Sequence, residues 1–315
     1  MNIRTAFLLL SYPVLFLIFS CKEPASTILS KQFNGYSGMA QINTESYLVV
    51  HDYKSYEEGT RFAIVKLVNG QNYSYQPLGL SNLPDGIAKP SDLESICSIP
   101  NTNNEFLAAE SGYWEKTNGR IFHITIENNN ANILKILNLP LIADNNKQQV
   151  GDNFEGLACT PLDANNILVL LGERGGSEKY PTGFIRWGKY SIYDQSITWS
   201  KQGLNGLPIK SPVILSNSHR DISDLFIDDE NNIWSVATED AGDNGPFKSV
   251  IYKVGTLDIN RSTPVIINHD PKARWIIDGF KVEAMSISLK SIKESFLIIG
   301  TEDEHYGGII RPLYK

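Results

Sequence analysis

A five-bladed β-propeller is the fold this sequence predicts, and three observations predict it. A unit of about sixty residues repeats, its opening motifs at Ser37, Glu94, Glu155, Ser223 and Glu283 lying 57, 61, 68 and 60 residues apart. Each unit holds short runs rich in β-branched and aromatic residues, separated by polar turns, which read as strands. Most units hold four such runs, and four strands per repeat at this period make a propeller blade.

The elements follow the same order in every unit. The opening motifs are "SGMA" from Ser37, "ESIC" from Glu94, "EGLA" from Glu155, "SDLF" from Ser223 and "EAMS" from Glu283. A turn rich in Asn, Asp, Ser or Lys follows, then a second strand ending in a carboxylate: Asp52, Glu110, Glu173, Glu239 and Glu302. Third strands are "FAIVKL", "IFHITI", "FIRWGKYSI", "VIYKVG" and "GIIRPLY". Weaker fourth strands, "YSYQPL", "NILKIL", "SITWSK" and "TPVIIN", complete all units but the last. The stretch "STILSKQF" from Ser26 is the spare strand that completes the last blade, so the propeller is expected to span 26–315. Motif strands that start at the top face bring second strands back to it, which places the five terminal carboxylates there and the start of the N-terminal strand at the bottom.

The first residues read as an address. Arg4 precedes an apolar run from Ala6 to Phe19, too short for a membrane span of roughly 20 residues. Its end, "LIFSC", resembles the lipobox of bacterial lipoproteins, in which the cysteine becomes the acylated N-terminus. That resemblance implies a signal peptide over 1–20, lipid such as palmitate on Cys21, a tether over 21–25, and a bilayer-anchored protein of the bacterial cell envelope, at the outer membrane. Cys97 and Cys159 lie three and four residues after their motif glutamates, on opposite sides of their strands, and are expected as two buried free thiols. A formal charge of −7 with no Lys/Arg cluster argues against nucleic acid as a partner. A monomer is expected.

Inner strands of a propeller run parallel about one axis, so equivalent positions form rings. Ser37, Glu94, Glu155, Ser223 and Glu283 form one. Two residues earlier lie Gly35, Asp92, Asn153, Asp221 and Lys281; two later lie the apolar Met39, Ile96, Leu157, Leu225 and Met285. The pattern is a polar mouth, an oxygen ring and a hydrophobic plug. At ~5 Å and an effective dielectric of about 20, each pair of glutamates repels by roughly 3 kcal/mol. Protonation, lysine contacts or wider spacing relieve this, and a divalent cation relieves it most directly. Calcium, which takes about 6–8 oxygens, suits three Glu and two Ser.

The order Ser, Glu, Glu, Ser, Glu resembles the central calcium site of the calcium-activated nucleotidase (apyrase) family, five-bladed propellers that hydrolyse nucleoside di- and triphosphates. The resemblance covers the architecture and those five positions. The phrases "DLESI", "FEGLA" and "GERGG" resemble the esterase-like phytase propellers. Both imply a calcium-dependent hydrolase of phosphate anhydrides or esters. Arg174, His219, Arg220, Lys281 and His305 lie near the top-face carboxylates in sequence; Glu173, Arg174, His219 and Arg220 are the candidate catalytic residues, supplying positive charge and a group to orient water. Two other readings fit the same residues: a non-catalytic propeller with structural calcium that holds an extracellular protein or glycan, and a metal-dependent lactonase or esterase.

Overall fold

The computed structural model describes residues 35–68, 72–112, 119–142, 152–212 and 218–314. The leader, Cys21, the tether and the strand expected at 26–33 lie outside the described residues.

The fold is an all-β five-bladed propeller. Blade one runs β1 (Gly38–Asn43), β2 (Ser46–Val50), β3 (Phe62–Val68) and β4 (Asn72–Pro77), each antiparallel to the next. A short strand, β5 (Gly79–Ser81), then crosses to blade two. Blade two is β6 (Leu93–Ser98), β7 (Glu105–Glu110), β8 (Arg120–Glu127) and β9 (Asn130–Asn138), with β5 parallel to β9 on its outer edge. Blade three is β10 (Phe154–Pro161), β11 (Asn166–Glu173), β12 (Phe184–Ser191) and β13 (Ser196–Thr198). A single helical turn, α1 (Lys201–Asn205), follows, its N-terminus capped by the Ser200 hydroxyl, which accepts from the Gly203 amide at 3.0 Å. It leads into β14 (Leu207–Pro208), which pairs beside β13 on β12. Blade four is β15 (His219–Ile227), β16 (Asn232–Asp240) and β17 (Phe247–Leu257). At 11 residues β17 is long enough for two outer partners: β18 (Val265–Ile267), within "TPVIIN", and β19 (Ala273–Asp278), a strand the sequence pattern did not predict. Blade five is β20 (Val282–Ile287), β21 (Ser295–Thr301) and β22 (Ile310–Tyr314), three strands among the described residues, as the sequence predicts for that unit.

The ring closes through its innermost strands: β1, β6, β10, β15 and β20 touch in cyclic order, and β20 meets β1 again. Backbone bonds at the top stitch one blade to the next. The Asp92 amide donates to the Tyr53 carbonyl at 3.1 Å, Phe154 to Ser111 at 2.5 Å, Asp221 to Arg174 at 3.0 Å, and Tyr36 to Thr301 at 2.9 Å. Each bond ties the end of one second strand to the start of the next blade. Alternation along the strands then sends side chains to both faces of every sheet, and the buried apolar residues fall into five clusters, one per blade interface.

The expectation of two free thiols is overturned: Cys97 and Cys159 form a disulfide, with a Cα–Cα distance of 5.9 Å. The two faces of a blade look toward different neighbours, so residues that bridge adjacent blades must sit on opposite sides of their own strands. The parity that seemed to separate the cysteines is what brings them together.

Candidate functional site

The top ends of the inner strands share a distortion. Register shifts fall between Leu93 and Ser95, Phe154 and Gly156, Arg220 and Asp224, and Val282 and Ala284. Glu94, Glu155 and Glu283 are the extra residues at three of these bulges, and Ser223 lies inside the fourth. A bulge re-aims a side chain that regular pleating would send into a blade interface. Ser37 takes the equivalent place just before β1, its amide donating to the Val50 carbonyl at 3.1 Å. All five residues are buried, Glu155 and Glu283 to 2% exposure and Glu94 to 9%.

An arginine sits among them. Arg220 Nη1 donates to Glu155 Oε2 at 2.8 Å and to Glu283 Oε1 at 2.6 Å, so blades three and five converge on one nitrogen of blade four. Its Nη2 donates to Asp240 at 2.9 Å. Burial opposes charge on Arg220, but Glu155, Glu283, Asp240 and Glu94 outweigh it and hold the guanidinium more firmly protonated than usual. Lys281 is the second cation at the ring; its Nζ lies 3.2 Å from Glu283 and 2.8 Å from Glu302, and it also bonds Glu304. Burial pushes the Glu283 carboxyl up to about 7, partly offset by Lys281 and Arg220. Glu302 is pushed to about 8, first by burial and then by Glu283.

Glu94 differs from the other two glutamates. It makes no ion pair with any described residue, and its carboxyl titrates well above the usual range. Burial is the largest cause, followed by the charges of Glu155, Asp92, Asp52 and Glu283. Burial and neighbouring negative charge thus favour the neutral form of Glu94, while Glu155 beside it accepts a hydrogen bond from Arg220.

Of the candidate catalytic residues, the structure brings two to the axis. Arg220 is central, and Arg174 lies at the rim, 3.7 Å from both Glu155 and Asp240. His219 stands aside, 3.5 Å from Asp221. Glu173 is held within blade three by Arg186, which bonds it through Nε at 2.8 Å and through Nη2, while the Asp152 amide occupies its other oxygen at 2.8 Å. Glu110 is held by an arginine of its own blade too, Arg120 donating from Nε to Oε2 at 2.9 Å and from Nη2 to Oε1 at 2.5 Å. The terminal carboxylates of the second strands are thus not one ring. Asp240, one residue beyond Glu239, is the blade-four carboxylate that reaches Arg220. Gly35 leaves room at the mouth, since a Cβ there would lie 2.4 Å from Glu302 Cγ.

Beneath the ring, Met39, Ile96, Leu157, Leu225 and Met285 surround a cavity of about 410 Å³ that opens toward the opposite face. The hydroxyls of Ser37 and Ser223 are buried without a hydrogen-bond partner among the described residues. Two orphaned hydroxyls and three carboxylates are hard oxygen donors of the kind calcium takes. Among the described residues no group of three or more His, Cys, Asp or Glu is disposed to hold a metal ion as placed. Arg220 occupies Glu155 and Glu283, so the donor chemistry fits calcium while the placement requires the guanidinium to withdraw.

No protein-family model matches the chain, and no curated protein matches it. Solved structures do. An endo-arabinase from Bacteroides thetaiotaomicron superposes with a TM-score of 0.52 at 9% identity, over 91% of this chain and 95% of that one. A structure from the family-130 mannoside phosphorylases, which include glycoside hydrolases that target β-1,2-mannosidic linkages in Candida mannan, gives 0.50 at 9% identity, covering 89% and 84%. A thermostable family-43 glycoside hydrolase gives 0.47 at 11%, covering 89% and 90%. The chain is a five-bladed propeller that resembles glycoside hydrolases in fold, and at these identities the likeness is one of fold alone.

Proposed function

We propose that this propeller is a hydrolase of glycosidic bonds whose reaction centre is the top of the axis. The observation that carries the reading is the pairing of Glu94, buried without an ion-pair partner among the described residues so that its neutral form is favoured, with Glu155, which accepts a 2.8 Å hydrogen bond from Arg220. Two carboxyl groups in unlike surroundings suit glycosidic cleavage, in which one protonates the leaving oxygen and the other acts as base or nucleophile. Glu94 takes the first role and Glu155 the second, with Arg220 and Arg174 positioning Glu155. An uncharged sugar suits this mouth better than a phosphate, because the nearby Asp52, Asp92, Asp240 and Glu304 make it acidic and the two cations at the ring, Arg220 and Lys281, are already engaged.

The test is a screen of aryl glycosides against the full chain. Turnover that falls about 10²–10⁴-fold in both Glu94→Gln and Glu155→Gln is the expected result, with Glu94→Gln leaving the melting temperature (Tm) near that of the wild type at neutral pH. Turnover unaffected by either substitution refutes the assignment.

The orphaned Ser37 and Ser223 hydroxyls favour a second reading, a calcium-dependent hydrolase of phosphate anhydrides or esters. Ser37, Glu94, Glu155, Ser223 and Glu283 would hold the ion, which would neutralise phosphate charge. Aryl phosphates, nucleotides and lactones tested with calcium and with chelator separate the two readings. Phosphate hydrolysis only with calcium supports the second, and metal-independent glycoside hydrolysis the first.

A further inference from the structure

Cross-strand pairing at the top of blade one repeats blade two, with one exchange. Leu93 pairs with Glu110 and Ser95 with Ala109, with Glu94 the bulge between them, while Gly38 pairs with Val50 just after Ser37. His51 therefore stands where Glu110 stands. Its amide bonds the Arg61 carbonyl at 3.1 Å, which puts Arg61 in the place of Arg120. In blade two, Arg120 grips Glu110 through Nε and Nη2, and in blade three Arg186 grips Glu173 through the same edge. In blade two that edge meets the carboxylate with two parallel bonds, one to each oxygen, and in blade three both bonds converge on Glu173 Oε2.

Blade one has the arginine without the carboxylate. Arg61 is 1% exposed; among the described residues its Nε and Nη2 have no hydrogen-bond partner, and Nη1 donates to the Gly59 carbonyl at 3.0 Å. His51 cannot serve as the anion. Its Nδ1 lies 2.6 Å from the Gly35 carbonyl and its Nε2 3.0 Å from the Tyr75 hydroxyl, so both nitrogens are used, and burial lowers its pKa to about 4 and keeps it neutral. Glu58 is near but turned to the amides of Lys54 and Ser55, at 3.1 and 3.3 Å. A buried guanidinium with two idle donors is among the costlier arrangements in a protein. The position looks ready for a partner from outside. Its roof is aromatic: the Tyr56 ring lies 4.3 Å from the guanidinium carbon and is 37% exposed, with Lys89 of the blade-two loop 4.8 Å from the same ring.

We infer that the Nε–Nη2 edge of Arg61 is a ligand-binding site that takes the carboxylate of a small molecule, admitted when Tyr56 swings away from the guanidinium. The ligand supplies what Glu110 and Glu173 supply in the next two blades. Carboxylate is favoured over phosphate because this edge holds a carboxylate in both internal precedents, with one bond to each oxygen in blade two. The inference is independent of which bond the axial site cleaves.

Calorimetry and thermal melts of the full chain at constant ionic strength test it, with glucuronate, acetate, glucose and inorganic phosphate as probes. Glucuronate and acetate are expected to bind and to raise the Tm, by about 5 °C at a hundredfold excess over the dissociation constant. Glucose is expected to do neither. Arg61→Gln should weaken carboxylate binding at least tenfold. His51→Glu restores the blade-two pair from within the chain and should abolish the ligand-induced shift, which keeps the test decisive if Arg61→Gln fails to fold. No carboxylate binding to the wild type overturns the inference, as does binding that survives His51→Glu, or binding of phosphate alone.

Discussion

Replacing Glu283 by glutamine should make the protein more stable above neutral pH, although the change removes a residue that touches both buried cations. Burial raises the Glu283 carboxyl from 4.5 to about 7 even after Lys281 and Arg220 have pulled it down. The unfolded chain releases this proton near the lower value and the folded chain near the higher. Between them the folded state binds more protons, so stability is greatest below the window and falls as pH rises through it. The interval corresponds to about 3 kcal/mol. Glutamine has the shape and neutrality of the protonated acid and keeps an amide oxygen for Arg220 and Lys281. It therefore holds the protein in its low-pH state at every pH. Glu302, raised to about 8 partly by the charge of Glu283, should also titrate lower in the variant and flatten the profile further. The assay is urea denaturation followed by circular dichroism from pH 5 to pH 9. Wild type and variant should coincide near pH 5 and diverge by about 3 kcal/mol near pH 8.5, roughly 1 M in midpoint for a chain of this size. Parallel curves, or a variant less stable than wild type at pH 8.5, would show that Glu283 is a settled ion-pair partner, and the electrostatic account of the ring would fall.

Other outcomes follow from the same structure. Arg220→Met leaves Glu155 and Glu283 buried without their shared donor and should cost about 3–5 kcal/mol at pH 8, recovering in part as the pH is lowered; a loss unchanged by pH would contradict the network. Cys97 and Cys159 are 62 residues apart, so removing their bridge with Cys97→Ser should cost about 4 kcal/mol by loop-closure entropy, measured by denaturation with and without reductant. If the stretch from Ser26 supplies the outer strand of blade five that the sequence predicts, deleting 26–33 should lower the Tm far more than an ordinary terminal trim, and an unchanged Tm would refute that strand. Cys21→Ala should release the protein from the membrane fraction with its Tm unchanged; retention in that fraction would argue against a lipid anchor at this residue.

The number of blades and the composition of the axial ring were legible because repeat period and strand alternation are local properties of the chain. Five motifs at near-equal spacing fix five equivalent inner strands, and equivalence alone puts Ser37, Glu94, Glu155, Ser223 and Glu283 at one height. The apolar residues two places on were legible for the same reason.

What fills the space between those side chains was decided by tertiary structure. Arg220 is three residues before its motif serine and carries no repeat signature, yet the wide bulge of β15 brings it to the centre, where it splits three chemically identical glutamates into two that are held by cations and one, Glu94, that is not. The disulfide depended on which blade faces which, a relation between sheets that parity along one strand cannot express. Arg61 and His51 are ordinary residues in sequence; only cross-strand register shows that one lacks the partner its counterparts have. Sequence by itself determined the scaffold, because backbone pairing and apolar burial follow from short-range pattern. The ion pairs of the ring join groups more than sixty residues apart, and only the closed ring sets those distances.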